Sequence, residues 1–179
     1  MSDHFFVVTG GPGAGKTSLI TELARRGFHT IPESGRAVIR EEMASGGDAL
    51  PWADRMAYAE QMLARDRQAH QGAAGLRCPV IFDRGIPDGI GYLRLCGAPV
   101  PPAMAAAARA QRYNRRVVFA PYWAEIFAQD PERRQGPAEA EATGAALRDT
   151  YAGLGYRLVE LPRASVAARA DWMIAELGL

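Results

Sequence analysis

Two rhythms of apolar residues run along this chain: short solid runs, and longer stretches with an apolar position every three or four residues. Phe5-Phe6-Val7-Val8 is a solid run leading into glycines, which predicts a buried parallel strand. Thr17 to Arg26 carries Leu19, Ile20, Leu23 and Ala24 at helical spacing, and Gly27 closes it as a C-cap. A second strand is expected over Phe28–Ile31, ending at Pro32, and a helix over Glu33–Ala44, broken by Ser45-Gly46-Gly47-Asp48. Trp52 to Gln71 reads as a long helix, polar on one face and opened by Pro51.

The same two rhythms continue to the end of the chain. Val80-Ile81-Phe82 gives a third strand, running straight into Asp83-Arg84-Gly85. Helical segments around Asp88–Leu95 and Pro102–Tyr113 lead to a fourth strand, Arg116–Ala120. Residues 129–137 are a charged excursion punctuated by proline and glycine. A helix over Ala138–Ala152, a strand over Tyr156–Leu161 and a helix over Ser165–Leu177 follow, with Ser165 as N-cap. Strands alternating with helices predict an α/β fold, a parallel sheet covered on both faces. No repeat, low-complexity tail or linker divides residues 1–179, so one domain is expected.

Composition narrows the function. With 48% hydrophobic and 23% charged residues and a net charge of +1, nothing suggests a nucleic-acid or membrane surface. No apolar run approaches the ~18 residues of a membrane helix, and the N-terminus has no signal-peptide pattern. Cys78 and Cys96 have no metal-ligand spacing and form no disulfide framework, so a cytoplasmic protein is expected. Of the 21 Lys+Arg residues only Lys16 is lysine, placed where a compact ammonium on a flexible stem is needed.

Lys16 belongs to Gly10-Gly11-Pro12-Gly13-Ala14-Gly15-Lys16-Thr17, a full G-x4-G-K-T pattern between a strand and a helix. Glycines let the backbone curl so that successive N–H groups converge on phosphate oxygens, and the following helix adds its positive end. Gly11, Gly13, Ala14, Gly15, Lys16, Thr17 and Ser18 are the candidate phosphate ligands, with Lys16 reaching the β- and γ-phosphates. The expected cofactors are ATP and Mg²⁺, the metal held by the Thr17 hydroxyl and by Asp83 at the end of the third strand. The plainer alternative is an Asp capping the next helix, a role compatible with holding the metal.

Further residues define an acceptor side. Glu33 lies after the second strand, where its carboxylate could take a proton from an acceptor hydroxyl, and Arg36 one turn on could orient that acceptor. An N-cap Glu ion-paired with Arg36 is the plainer alternative. Arg84 can clamp an anionic group with its planar fork, with Asp88 nearby, or can form an ordinary surface ion pair. Arg133 and Arg134, in the excursion, read either as a lid closing over phosphates or as a solvated loop. His4, His29 and His70 fit no triad or metal pattern, and Tyr122 and Trp123 read as packing.

Together these segments resemble the small bacterial P-loop proteins labelled AAA-type ATPases. Their shared pattern is a Walker A loop, P-E-x-x-R after the second strand, D-R-G-x-P-D after the third, and an arginine-bearing lid. Here those are Gly10–Thr17, Pro32–Arg36, Asp83–Asp88 and Asp130–Arg134, and the tail from Tyr151 to Pro162 is similar as well. The combination is also similar to the ribosylnicotinamide kinase domain of a bacterial NAD regulator and, more distantly, to deoxynucleoside and nucleoside-monophosphate kinases. The resemblance implies a P-loop NTPase three-layer sandwich, with a five-stranded sheet in the order 2-3-1-4-5. It implies that Glu33 or Asp83 serves the acceptor and that Arg133 and Arg134 serve the phosphates. It also implies that adenine lies near the lid and Pro162–Val166. The activity it implies is a Mg-dependent kinase for a small, nucleoside-like acceptor. The competing expectation is a switch-type ATPase, with water as acceptor or a partner protein as its output.

Overall fold

A computed structural model describes residues 3–127 and 136–179, and in it every solid apolar run joins one sheet. The strands are β1 (Phe5–Gly10), β2 (His29–Ile31), β3 (Val80–Asp83), β4 (Arg116–Ala120) and β5 (Arg157–Glu160). All pair in parallel in the order β2-β3-β1-β4-β5, as the resemblance implies. The helices are α1 (Lys16–Arg25), α2 (Ser34–Ser45), α3 (Arg55–Ala73), α4 (Ile86–Leu95), α5 (Pro102–Ala110), α6 (Pro137–Gly153) and α7 (Val166–Leu177).

Because strand side chains alternate, each strand feeds two cores. Phe5 and Val7, with Val80, Phe82 and Val117, pack beneath α3, α4, α5 and α6. Phe6 and Val8, with Ile81, Val118 and Val159, pack beneath α1 and α7. The result is three layers, with β1 buried along its whole length. His70, which carries no assigned chemistry, fills the first core among Phe5, Phe82 and Tyr113, its Nε2 2.8 Å from the Arg112 carbonyl oxygen.

Most element boundaries agree with the apolar rhythm, and the exceptions have local causes. The third helix starts at Arg55 and not at Trp52, because Asp54 caps it: Asp54 Oδ1 accepts from the Met56 and Ala57 N–H groups at 3.0 and 2.9 Å. Helix α4 starts two residues before Asp88, with Gly85 at its N-cap. Residues 136 and 137 do not belong to a loop, since Gly136 is the N-cap of α6 and Pro137 its first residue. The rest of the expected lid, including Arg133 and Arg134, lies outside the described residues. Among the described residues no helix is long and apolar enough to cross a membrane, and both cysteines are free.

Parallel strands send all their following loops to one edge of the sheet. Val8 of β1 pairs with Asp83, and the Arg84 N–H donates to the Val8 carbonyl at 3.0 Å. The phosphate-loop candidate and the Asp83-Arg84 segment therefore leave adjacent strands side by side. Gly10, at φ 137°, makes the exit, and a Cβ there would stand 2.2 Å from the Ala120 carbonyl oxygen. Gly10→Ala should lower stability by about 3 kcal/mol or more, read as a melting point lower by about 6–12 °C. A melting point within ~2 °C of the parent would contradict this close approach.

Candidate functional site

The site is built where β1, β2 and β3 end. Beyond β1 the chain curls through Gly11–Gly15, and α1 begins at Lys16, so the first N–H groups of that helix open onto the curl. Lys16 is buried at 6% exposure, and its Nζ donates to the Gly11 carbonyl at 2.6 Å, bridging the loop. Thr17 and Ser18 are exposed at the start of α1.

Glu33, next to β2, stands at the N-cap of α2 but makes no capping hydrogen bond. Its carboxylate accepts instead from two arginines, Arg36 Nε at 3.2 Å on Oε2 and Arg84 Nε at 3.0 Å on Oε1. Both halves of the plainer expectation are thereby separated: the ion pair with Arg36 forms, and the cap does not. Arg84 is no surface arginine either, its side chain being only 12% exposed. Its backbone takes φ 71°, unusual for a residue with a side chain, which turns the guanidinium toward Glu33 and Asp88. Burial opposes its charge, but the carboxylates of Glu33, Asp88 and Asp83 outweigh burial and hold Arg84 above the usual arginine value.

Asp88 sits at the centre of this wall. Its Oδ1 accepts from Thr9 Oγ1 at 2.7 Å and Arg84 Nη1 at 2.9 Å. Its Oδ2 accepts from the Tyr151 hydroxyl at 2.6 Å and the Gly85 N–H at 3.0 Å. Expected among the acceptor-side residues, Asp88 joins Arg84 and Glu33 in this wall, but its oxygens face the protein and engage donors from β1, α6 and its own turn.

Asp83 differs from it. The carboxylate is buried, caps no helix, and leaves Oδ1 with no hydrogen-bond partner. Burial pushes its pKa up and Glu33 adds to the rise, while Lys16 and Arg84 oppose it. Asp83 thus stands electrostatically between the loop lysine and the Glu33–Arg84 pair. Thr17 and Asp83 are the oxygen donors here that could hold a hard cation.

Two residues of this region carry no signal in the sequence. Asp66, on α3, sits between Arg65 and Arg67 and reads as one more charge on a polar helix face. In the fold it is half-buried against the wall, within reach of Ser34, Asp88, Glu33 and Arg84. Burial pushes its carboxyl up to about 7, with Asp88 and Glu33 adding to the shift and Ser34 and Arg84 opposing it. The other is Arg169 of α7, which donates to the Ala14 carbonyl at 2.9 Å from outside the loop. Nothing nearer in sequence than 155 residues prepares that contact. Between β5 and α7, the Pro162–Val166 stretch is tied to the segment after β4 by Arg163, which donates to the Tyr122 carbonyl at 3.2 Å.

The parallel order β2-β3-β1-β4-β5, with a glycine-rich turn after β1, a strand-end acid on its neighbour and an acidic and basic wall opposite, is a P-loop α/β fold. The chain belongs to the AAA domain family, whose model matches residues 5–169. No curated protein matches it in sequence. Among solved structures it is similar to deoxyadenosine kinase from M. mycoides, at 13% identity and TM-score 0.69, covering 97% of this chain and 98% of that one. It is similar to the NadR protein in complex with NR, at 19% identity and TM-score 0.70, spanning 98% of this chain and 52% of that one. Thymidylate kinase from Ehrlichia chaffeensis matches at 14% identity and TM-score 0.65 over the full length of both chains. At such identities the shared property is the fold.

Asp66 makes the pH dependence of stability specific. In the unfolded chain its carboxyl titrates near about 4, and in the fold near about 7. Between those values the folded protein keeps a proton that the unfolded chain has released, so stability falls as pH rises through that window. Below it both states are protonated, and above it the full penalty is present. Asp66→Asn should therefore melt higher than the parent at pH 8, match it near pH 4, and flatten the profile between. Parallel melting profiles for the two proteins across pH 4–8 would remove Asp66 as the titrating group.

Proposed function

We propose that this protein is a Mg-dependent phosphotransferase that moves the γ-phosphoryl group of ATP to a hydroxyl of a small, nucleoside-like acceptor. The observation that carries this reading is the buried wall beside the phosphate loop. Glu33 and Arg84 are paired 3.0 Å apart within it, and Asp83 feels both that pair and Lys16. A switch that hydrolyses its nucleotide has no need of a second set of paired charged side chains there. The deoxyadenosine kinase and NadR folds, whose structures hold dCMP or dATP and NR, lend further support.

In this reading the loop amides from Gly11 through Gly15, with Lys16, Thr17 and Ser18, hold the donor phosphates. Magnesium fits the donor set. Asp83 offers a buried oxygen without a partner and Thr17 a hydroxyl, and no cage of three or more His, Cys, Asp or Glu residues exists among the described residues. That ion takes one or two protein oxygens together with phosphates and water. When bound, it neutralises charge on the β- and γ-phosphates. Glu33, hydrogen-bonded by Arg36 and Arg84, accepts the acceptor's hydroxyl proton as the new O–P bond forms and ADP leaves. Arg36 and Arg84 orient the acceptor, Asp88 fixes Arg84, and Arg133 and Arg134 close over the phosphates. Catalysis is chiefly positioning and electrostatics.

The test is acceptor-dependent ADP formation over a panel of nucleosides, comparing the parent with Glu33→Gln. Glutamine keeps the shape and accepts a hydrogen bond but takes no proton, so transfer should fall ~10²- to 10⁴-fold. Affinity for Mg·ATP should change by less than about threefold, because the donor phosphates lie on the loop. A loss of ATP affinity equal to the loss of transfer would move Glu33 to the donor side. ADP formation that ignores every acceptor would favour the hydrolytic switch.

A further inference from the structure

Among the described residues, Arg169 is a buried charge that lies outside both the loop and the Glu33–Arg84–Asp88 wall. It lies in the first turn of α7 with 3% of its surface exposed. Its Nε is buried with no hydrogen-bond partner, and its Nη2 donates to the Ala14 carbonyl at 2.9 Å. The Trp123 ring lies 5.9 Å from the guanidinium carbon, at the outer limit of a cation–π contact. No carboxylate counters its charge among the described residues, and burial draws its pKa below the usual arginine value. A buried charge without a counter-ion destabilises the fold that holds it.

The backbone beside it supplies a reason. In a planar trans peptide the C=O and N–H point in opposite directions. Arg169 holds the Ala14 carbonyl on the α7 side of the loop, which turns the Gly15 N–H toward the other side, into the curl where successive amides converge. Gly15 has φ 70°, and a Cβ on it would stand 2.5 Å from Arg169 Nη1, so the guanidinium approaches this closely only because the residue is glycine. Ile126 packs on the same spot, its Cδ1 2.9 Å from that Cβ position.

We propose that Arg169 is a positioning residue for the nucleotide donor: from behind the phosphate loop it sets the Ala14–Gly15 peptide with its N–H toward the phosphates, and the triphosphate across that peptide supplies the counter-charge that no described carboxylate provides. The inference rests on the reading that this loop holds a nucleoside triphosphate. It differs from direct phosphate contact because Arg169 acts through one peptide plane. It also separates Arg169 from a scaffold arginine: on this proposal its charge contributes chiefly when an anionic ligand binds.

The experiment compares wild type, Arg169→Met and Arg169→Lys. Each protein is titrated with Mg·ATP and with inorganic tripolyphosphate, and each is melted without ligand. Arg169→Met should bind both ligands about tenfold or more weaker than wild type, by similar ratios, as expected for a lost charged hydrogen bond. Empty Arg169→Met should melt at or above the wild-type temperature, and Arg169→Lys should recover part of the binding. Binding within twofold of wild type in the Met variant would overturn the proposal. So would a loss confined to ATP, which would mark a base contact, or a Lys variant no better than Met. An empty Met variant melting several degrees low would assign Arg169 to the scaffold and overturn it too. A wild type that binds neither ligand would instead defeat the nucleotide reading itself, and this inference with it.

Discussion

The carboxylate of Asp88 is the constraint on which the arrangement at the ends of β1 and β3 depends. A buried carboxylate is tolerable only when its oxygens are met by donors, and here four donors converge from three parts of the chain. Thr9 brings the last residues of β1, Tyr151 brings α6, and the Gly85 N–H fixes the first turn of α4. Arg84, the fourth, extends the network to Glu33 and so to the start of α2. The entry to the phosphate loop and the opposite wall are thus registered against the same side chain. The positive φ of Arg84 follows from this: the strained backbone is what lets one guanidinium span Glu33 and Asp88.

Around that satisfied centre the unsatisfied charges have a pattern. Among the described residues, Asp83 has a buried oxygen with no partner, Asp66 is pushed toward protonation, and Arg169 has no carboxylate to answer it. Asp83 faces Lys16 and Glu33, Asp66 faces the Glu33–Arg84 wall, and Arg169 backs the loop itself. Such groups lower the stability of the empty protein, and perturbed groups of this kind gather where ligands act. Their polarity also matches the proposed chemistry: cations and amides surround the donor phosphates, and carboxylates lie toward the metal and the acceptor.

Much of this was legible in the residues because it depends on local pattern. The glycine-rich turn with its single lysine identified the loop, solid apolar stretches located β1, β3 and β4, and the mixed segments Phe28–Ile31 and Tyr156–Leu161 were read as the other two strands. An acid at the end of β3 followed from its position alone. Boundaries set by side-chain caps were harder: Asp54 displaces the start of α3 from Pro51, since two N–H bonds to a carboxylate outweigh a proline's fixed φ. Asp66 was invisible because Arg65-Asp66-Arg67 is what a solvated helix face looks like until tertiary packing turns one charge inward. Arg169 was invisible for another reason, since its partner is a backbone carbonyl, and no residue type announces that. Arg133 and Arg134, expected over the phosphates, lie outside the described residues, so their part in closing the site stays with the proposal.

The fate of the γ-phosphoryl group tests the central claim most directly. ATP labelled with ¹⁸O at the γ-phosphate would be incubated with the protein, Mg²⁺ and a panel of nucleosides, and the label followed by mass spectrometry. The account predicts labelled phosphate covalently attached to an organic acceptor, in step with ADP. Label appearing only in inorganic phosphate, whatever acceptor is offered, would contradict it and make water the acceptor of this site.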